Sequence, residues 1–144
     1  MLKLKTNMAA DSVAVLIKDA VTEFYKAVDK HPLWPESLVY DVNKEHLRRS
    51  KEQIEKELSR NRIFNDRDGG KFSTAETIFA EEWFEFLEAV IIKCDKAAAR
   101  HELAQCMAML LRIGAHLDDY LPDDEQETPS PEFEPCDVCE RDER

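Results

Sequence analysis

From Ser73 to Tyr120 the apolar residues return every three or four positions, and the pattern breaks once, at Cys94-Asp95. Such spacing puts apolar groups along one face of a helix, whereas a half-buried strand would alternate them. The centre of the chain therefore reads as two successive helices joined by a tight turn, a helical hairpin over residues 74–120. Only 3 Gly and 6 Pro interrupt the 144 residues, and Ala, Leu, Glu and Lys are plentiful, so helix is favoured over sheet throughout. One all-α domain of four helices, residues 1–121, fits this length.

Local signals place the rest. Residues 11–30 form a first helix, with Val13, Leu16, Ile17, Ala20, Val21, Phe24 and Val28 at helical spacing and Asp11 or Ser12 as its cap. His31-Pro32 ends it, because the residue before a proline is pushed out of the helical region. A second helix is expected from about Pro35 to about Arg60, with Trp34 plugging the junction before it. Asn61–Phe72, with Asn65-Asp66 and Gly69-Gly70, reads as a loop. Ser73-Thr74-Ala75-Glu76 matches a capping box and opens a third helix to about Cys94. Asp95 caps a fourth, from Lys96 to about Tyr120, and Pro122 stops it.

Charge separates the two ends of the chain. Asp118–Arg144 hold 12 acidic and two basic residues, a net of −10 out of −11, so residues 1–117 are close to neutral. The segment 122–144, acidic and rich in Pro, is expected to be a disordered tail. No basic stripe is present, which argues against direct nucleic-acid binding. There is no secretion signal and no apolar run of membrane-spanning length, and Cys94 and Cys106 read as free thiols of a cytoplasmic protein.

Within the neutral body, acids are concentrated on the hairpin. On a helical wheel Phe79, Trp83, Phe84, Phe86, Leu87, Val90 and Ile91 share one arc of the third helix, and Glu81, Glu82, Glu85 and Glu88 share the other. Glu82 and Glu85 stand one turn apart on one face. On the fourth helix Leu103, Cys106, Met107, Leu110, Leu111, Ile113 and Leu117 form the apolar arc, with Glu102 at its edge and Gln105 three residues on. A turn centred at Cys94-Asp95 brings Glu85 level with about Ala104, so Glu82 and Glu85 face Glu102 and Gln105. Three like charges there repel and raise one another's pKa, and a divalent cation removes the conflict. Magnesium suits the donor set, since it takes a few carboxylate oxygens and shares its other positions with water and phosphates.

The run Glu81-Glu82-Trp83-Phe84-Glu85, followed after 16 residues by Glu102-Leu103-Ala104-Gln105, resembles the EExxE…ExxD signature of the MazG-like all-α nucleoside triphosphate pyrophosphohydrolases. The resemblance covers about residues 76–117. It implies that Glu82, Glu85 and Glu102 are Mg²⁺ ligands, with Glu81 a supporting or proton-accepting group. It also implies cleavage of a nucleoside triphosphate to monophosphate and pyrophosphate by a homo-oligomer. Gln105 departs from the pattern, where the family has Asp. Its carbonyl can ligate magnesium but brings no charge, leaving weaker binding or a fold that has lost turnover.

Cations that could hold a triphosphate are Arg112, two turns beyond Gln105, and Lys93, with Arg48, Arg49 and Lys51 as looser candidates. Trp83 and Phe86 could stack on a base or fill the core. Cys136-Asp137-Val138-Cys139 is half of a zinc-ribbon set without its second pair. Gly69-Gly70-Lys71 lacks P-loop spacing, and His101 and His116 read as surface residues. A competing reading is an interaction protein whose acidic tail engages a basic partner.

Overall fold

In the computed structural model, which describes residues 6–121 and side chains from Ala10 onward, every regular element is helical. Five α-helices follow one another: α1 (Thr6–Lys30), α2 (Lys44–Asp66), α3 (Ala75–Leu87), α4 (Lys96–Ala115) and the short α5 (Leu117–Tyr120). The expected tail and its Cys136/Cys139 pair lie outside the described residues.

The second helix is shifted from its expected place, and the shift matters for the site. Residues 35–43 are not helical, and α2 starts at Lys44 because Asn43, in extended conformation, accepts a hydrogen bond from the His46 amide. At its other end α2 runs through the expected loop to Asp66. Asn61 is buried there, and its side-chain amide donates to the Glu57 carbonyl at 2.8 Å, so a polar residue that reads as a loop signal is satisfied inside the helix. A 3₁₀ turn (Arg67–Gly70) follows, where Asp68, Gly69 and Gly70 all take positive φ, a conformation cheap only for glycine.

The third helix begins as expected but by different hands. Thr74, not Ser73, is its cap, and the reciprocal partner is Thr77, not Glu76: the Thr77 amide donates to Thr74 Oγ1 at 3.1 Å and the Thr74 amide to Thr77 Oγ1 at 2.8 Å. Ser73 turns back instead and donates to the Gly70 carbonyl at 2.6 Å. After Leu87 the helix widens into a π turn (Glu88–Ile92), closed by the Lys93 amide on the Glu88 carbonyl at 2.9 Å. Cys94, at φ 52°, then reverses the chain, and Asp95 caps α4 by accepting from the Ala98 amide. The expected single fourth helix is interrupted at His116, separating α4 from α5.

α3 packs against α4 on one side and α2 on the other. The two neighbours α3 and α4 run antiparallel, since Ala75 and Ile78 at the start of α3 line one cleft with Arg112 and Ile113 at the end of α4. The buried apolar residues are Ile54 and Leu58 of α2, Leu87 and Ala89, and Cys106 of α4. Each large one contributes about 1.5–3 kcal/mol by leaving water.

Two sequence expectations about the core fail. The apolar arc of the expected fourth helix is not buried as a whole: Leu103, Met107 and Leu110 of α4 and Leu117 of α5 are exposed. α1 does meet α4, and near the C-terminal end of α4 Leu16 rests on Gly114 so closely that a Cβ there would lie 2.2 Å from Leu16 Cδ2, but that contact leaves these side chains uncovered. Beyond that crossing the apolar stripe of α1 is also uncovered, with Phe24 62% exposed. Trp34 likewise plugs nothing, standing 82% exposed between its prolines.

Candidate metal centre

α3 lies between α2 and α4, and the acidic arc of its second half is not a fully solvated face. Glu81, Glu82, Glu85 and Glu88 are all half-buried. Glu82 and Glu85 point toward α4, where Glu102 meets them: one carboxylate oxygen from each of the three lies within 4.8 Å of the other two. The trio expected from the hairpin spacing therefore converges.

Its electrostatics are unbalanced. Burial pushes the Glu82 carboxyl above the usual carboxylate range, and the neighbouring charges of Glu85, Glu102 and Glu81 push the same way. Glu82 Oε2 and Glu102 Oε2 are buried and accept no hydrogen bond. An acceptor-only group left so is destabilised by roughly 1–3 kcal/mol or more. Three carboxylates gathered this closely, two of them with an unpartnered buried oxygen, could hold a hard divalent cation, and the residues fit such an ion. Cys106, 3% exposed, lies close enough that its thiol, raised first by burial, is raised further by Glu82 and Glu102. A neutral thiol there adds no competing charge.

Glu81 sits beside the trio in a different setting. Asn65 donates to Glu81 and, at 3.1 Å, to the Thr77 carbonyl, while Thr77 Oγ1 donates to Asn65 Oδ1 at 2.8 Å. The same Thr77 that caps α3 thus helps anchor the carboxylate one turn on. Arg62 of α2 completes the arrangement, with Nη2 2.6 Å from Glu85 Oε1 and Nε 3.7 Å from Glu81 Oε1. Those carboxylates hold the Arg62 guanidinium firmly protonated.

Arg62 and Asn65 are the residues that sequence reading missed, because both fell in the expected loop. The only available signal was the continued helical spacing of Leu58, Asn61 and Asn65, which the Asn residues masked.

The other candidate residues divide. Gln105 is half-buried one turn beyond Glu102, on the side of α4 that carries the trio. Lys93 is exposed and paired with Glu88 at 2.8 Å. Arg112 lines the cleft of about 270 Å³ at the start of α3 with His116 and Tyr120, away from Glu82 along the helix. Arg48 and Arg49 both bind Glu45, whose pKa they lower to about 2, at the N-terminal end of α2. Trp83 and Phe86 are half-buried against each other, ring centres 5.3 Å apart. His116 pairs with Asp119 at 2.8 Å.

No described helix is long and apolar enough to cross a membrane. Compared with known proteins, the chain matches no family model, no curated sequence and no solved structure.

Proposed function

We propose that the chain is a Mg²⁺-dependent nucleotide pyrophosphohydrolase that splits an NTP or dNTP into the monophosphate and pyrophosphate. The reading is carried by one observation: Glu82, Glu85 and Glu102 converge from two helices within 4.8 Å, and two of their oxygens are buried without a partner. The EExxE…ExxQ pattern on which the MazG-like resemblance rests supplies these same three residues.

Glu82, Glu85 and Glu102 would hold the ion, with the Gln105 carbonyl as a neutral fourth donor. When bound, magnesium supplies charge neutralisation at the phosphate oxygens and a more acidic water. Glu81, oriented by Asn65, stands beside the trio and accepts the proton as water adds across the α–β anhydride. The oxygen of that water ends on one phosphoryl product, and the bridging oxygen leaves with the other.

The scaffold would work as a homo-oligomer. Ile17, Val21, Phe24 and Val28 on α1, and Leu103, Met107 and Leu110 on α4, are exposed at helical spacing, and two copies can cover both stripes reciprocally.

A panel of NTPs and dNTPs, with and without Mg²⁺ and read by pyrophosphate release, tests the proposal. Glu82→Gln and Glu85→Gln should abolish release, and removal of residues 122–144 should not. Metal-independent release, or release that survives Glu82→Gln, would overturn it. A nucleotide that raises Tm without being consumed would point to a binding protein that has lost turnover.

A further inference from the structure

Glu85 stands between a cluster of carboxylates and one positive partner. One side of its carboxyl group belongs to the trio of Glu82, Glu85 and Glu102, and Oε1 carries the Arg62 guanidinium at 2.6 Å. Among the described residues Arg62 is the one Lys or Arg paired with a member of that trio; Lys93 is taken by Glu88, and Arg48 and Arg49 by Glu45. The guanidinium is far from saturated. It has five N–H groups, its Nε lies 3.7 Å from Glu81, and the side chain is 45% exposed. A fixed cation with spare donors, held at the rim of a cation site by two carboxylates, has the chemistry of an oxyanion contact.

We propose that Arg62 is the polyphosphate-binding residue of this site. In the free protein it is parked on Glu85 and Glu81, and a metal-chelated polyphosphate takes up its unused N–H groups. The assignment rests on reading the trio as a divalent-cation centre, and it names the part of the ligand that the protein itself grips.

The charge arrangement gives the assignment an unusual signature. A bare divalent cation and Arg62 are like charges competing for Glu85, so removing the guanidinium favours the bare ion. A polyphosphate lies between them with negative charge for both, so removing the guanidinium weakens it. A residue that merely held Glu85 in place would weaken both on removal.

The full-length protein is titrated first with Mn²⁺ alone, followed by electron paramagnetic resonance. It is then titrated calorimetrically with the magnesium complex of inorganic tripolyphosphate. Arg62→Gln should bind Mn²⁺ at least as tightly as the wild type and tripolyphosphate about tenfold or more weakly, the size expected of a charge-assisted contact. Arg62→Lys, which keeps the charge and loses the fork, should recover part of the tripolyphosphate affinity and guards against a folding defect. Unchanged tripolyphosphate binding in Arg62→Gln, or parallel loss of both ligands, overturns the proposal. Tripolyphosphate held through Arg62 without pyrophosphate release from any nucleotide would sink the hydrolase reading and leave this one standing. A wild type that binds no Mn²⁺ would sink both.

Discussion

Replacing Glu82 with Gln keeps the shape of the side chain and removes one charge from a set of three. Taking the 4.8 Å within which the trio's oxygens lie as the separation, each like-charge pair costs about 3.5 kcal/mol at an effective dielectric of 20, and about half that at a partly wetted site. Glu82 faces two such partners, while part of the strain is already relieved by its raised pKa. A net gain of about 1–2 kcal/mol for the metal-free protein at pH 7 is therefore reasonable. In a domain of this size that corresponds to a rise in Tm of roughly 3–8 °C. With saturating Mg²⁺ the order should invert, because the wild type gains RT ln(1 + [Mg²⁺]/Kd) and the variant loses most of that gain. Scanning calorimetry on both proteins, in EDTA and in a Mg²⁺ series, measures the two signs independently of any turnover. A variant less stable than wild type in EDTA would show that the carboxylates are not in conflict. Equal stabilisation of both proteins by Mg²⁺ would show that the ion binds elsewhere.

Three further outcomes follow from the same geometry. Glu82 titrates above the ordinary 4.5, so the folded metal-free chain binds this proton more tightly than the unfolded one. Its contribution then lowers stability as pH rises from 4.5 through the raised pKa and is constant below 4.5, while cation affinity falls as pH drops through that same pKa; urea midpoints in EDTA and Mn²⁺ titrations across pH 4–8 read the two opposite slopes. Asn65→Ala removes the donor to Glu81 and to the Thr77 carbonyl and should cost about 1–2 kcal/mol in urea melts; Glu81 is also freed, so pyrophosphate release should fall by more than Mn²⁺ affinity. Gly114→Val drives a Cβ into Leu16 and should cost about 1–3 kcal/mol, with faster amide exchange along α1 and unchanged protection in α2 and α3.

The carboxylate trio was legible because helical period and one turn position together set the pairing of two segments. Asp95 and Thr74 are local capping signals, and residues between caps can be placed on faces by counting. What counting cannot supply is a decision between competing local options. Ser73 and Thr74 are both good caps, and the Gly70 carbonyl, brought near only by the left-handed turn, claims Ser73. Asn61 looks like a helix breaker until Glu57 offers its carbonyl, and with that helix end went Arg62 and Asn65, half of the site's polar frame. The exposed stripe on α4 resembles core in the sequence because periodicity reports that a face is apolar, not that anything covers it.

The π turn at Glu88–Ile92 holds one more residue than the α-turn it replaces. Each residue in a helix accounts for about 100° of rotation, so this insertion sets the angular phase between the Glu82–Glu85 pair and the reversal at Cys94. Deleting a single residue from the turn would restore a more regular helix and swing both carboxylates roughly a quarter of a circle away from Glu102. Substitutions there that preserve length would leave the phase alone. The chain's chelating geometry is thus tied to a spacer length rather than to the identity of any residue inside the spacer.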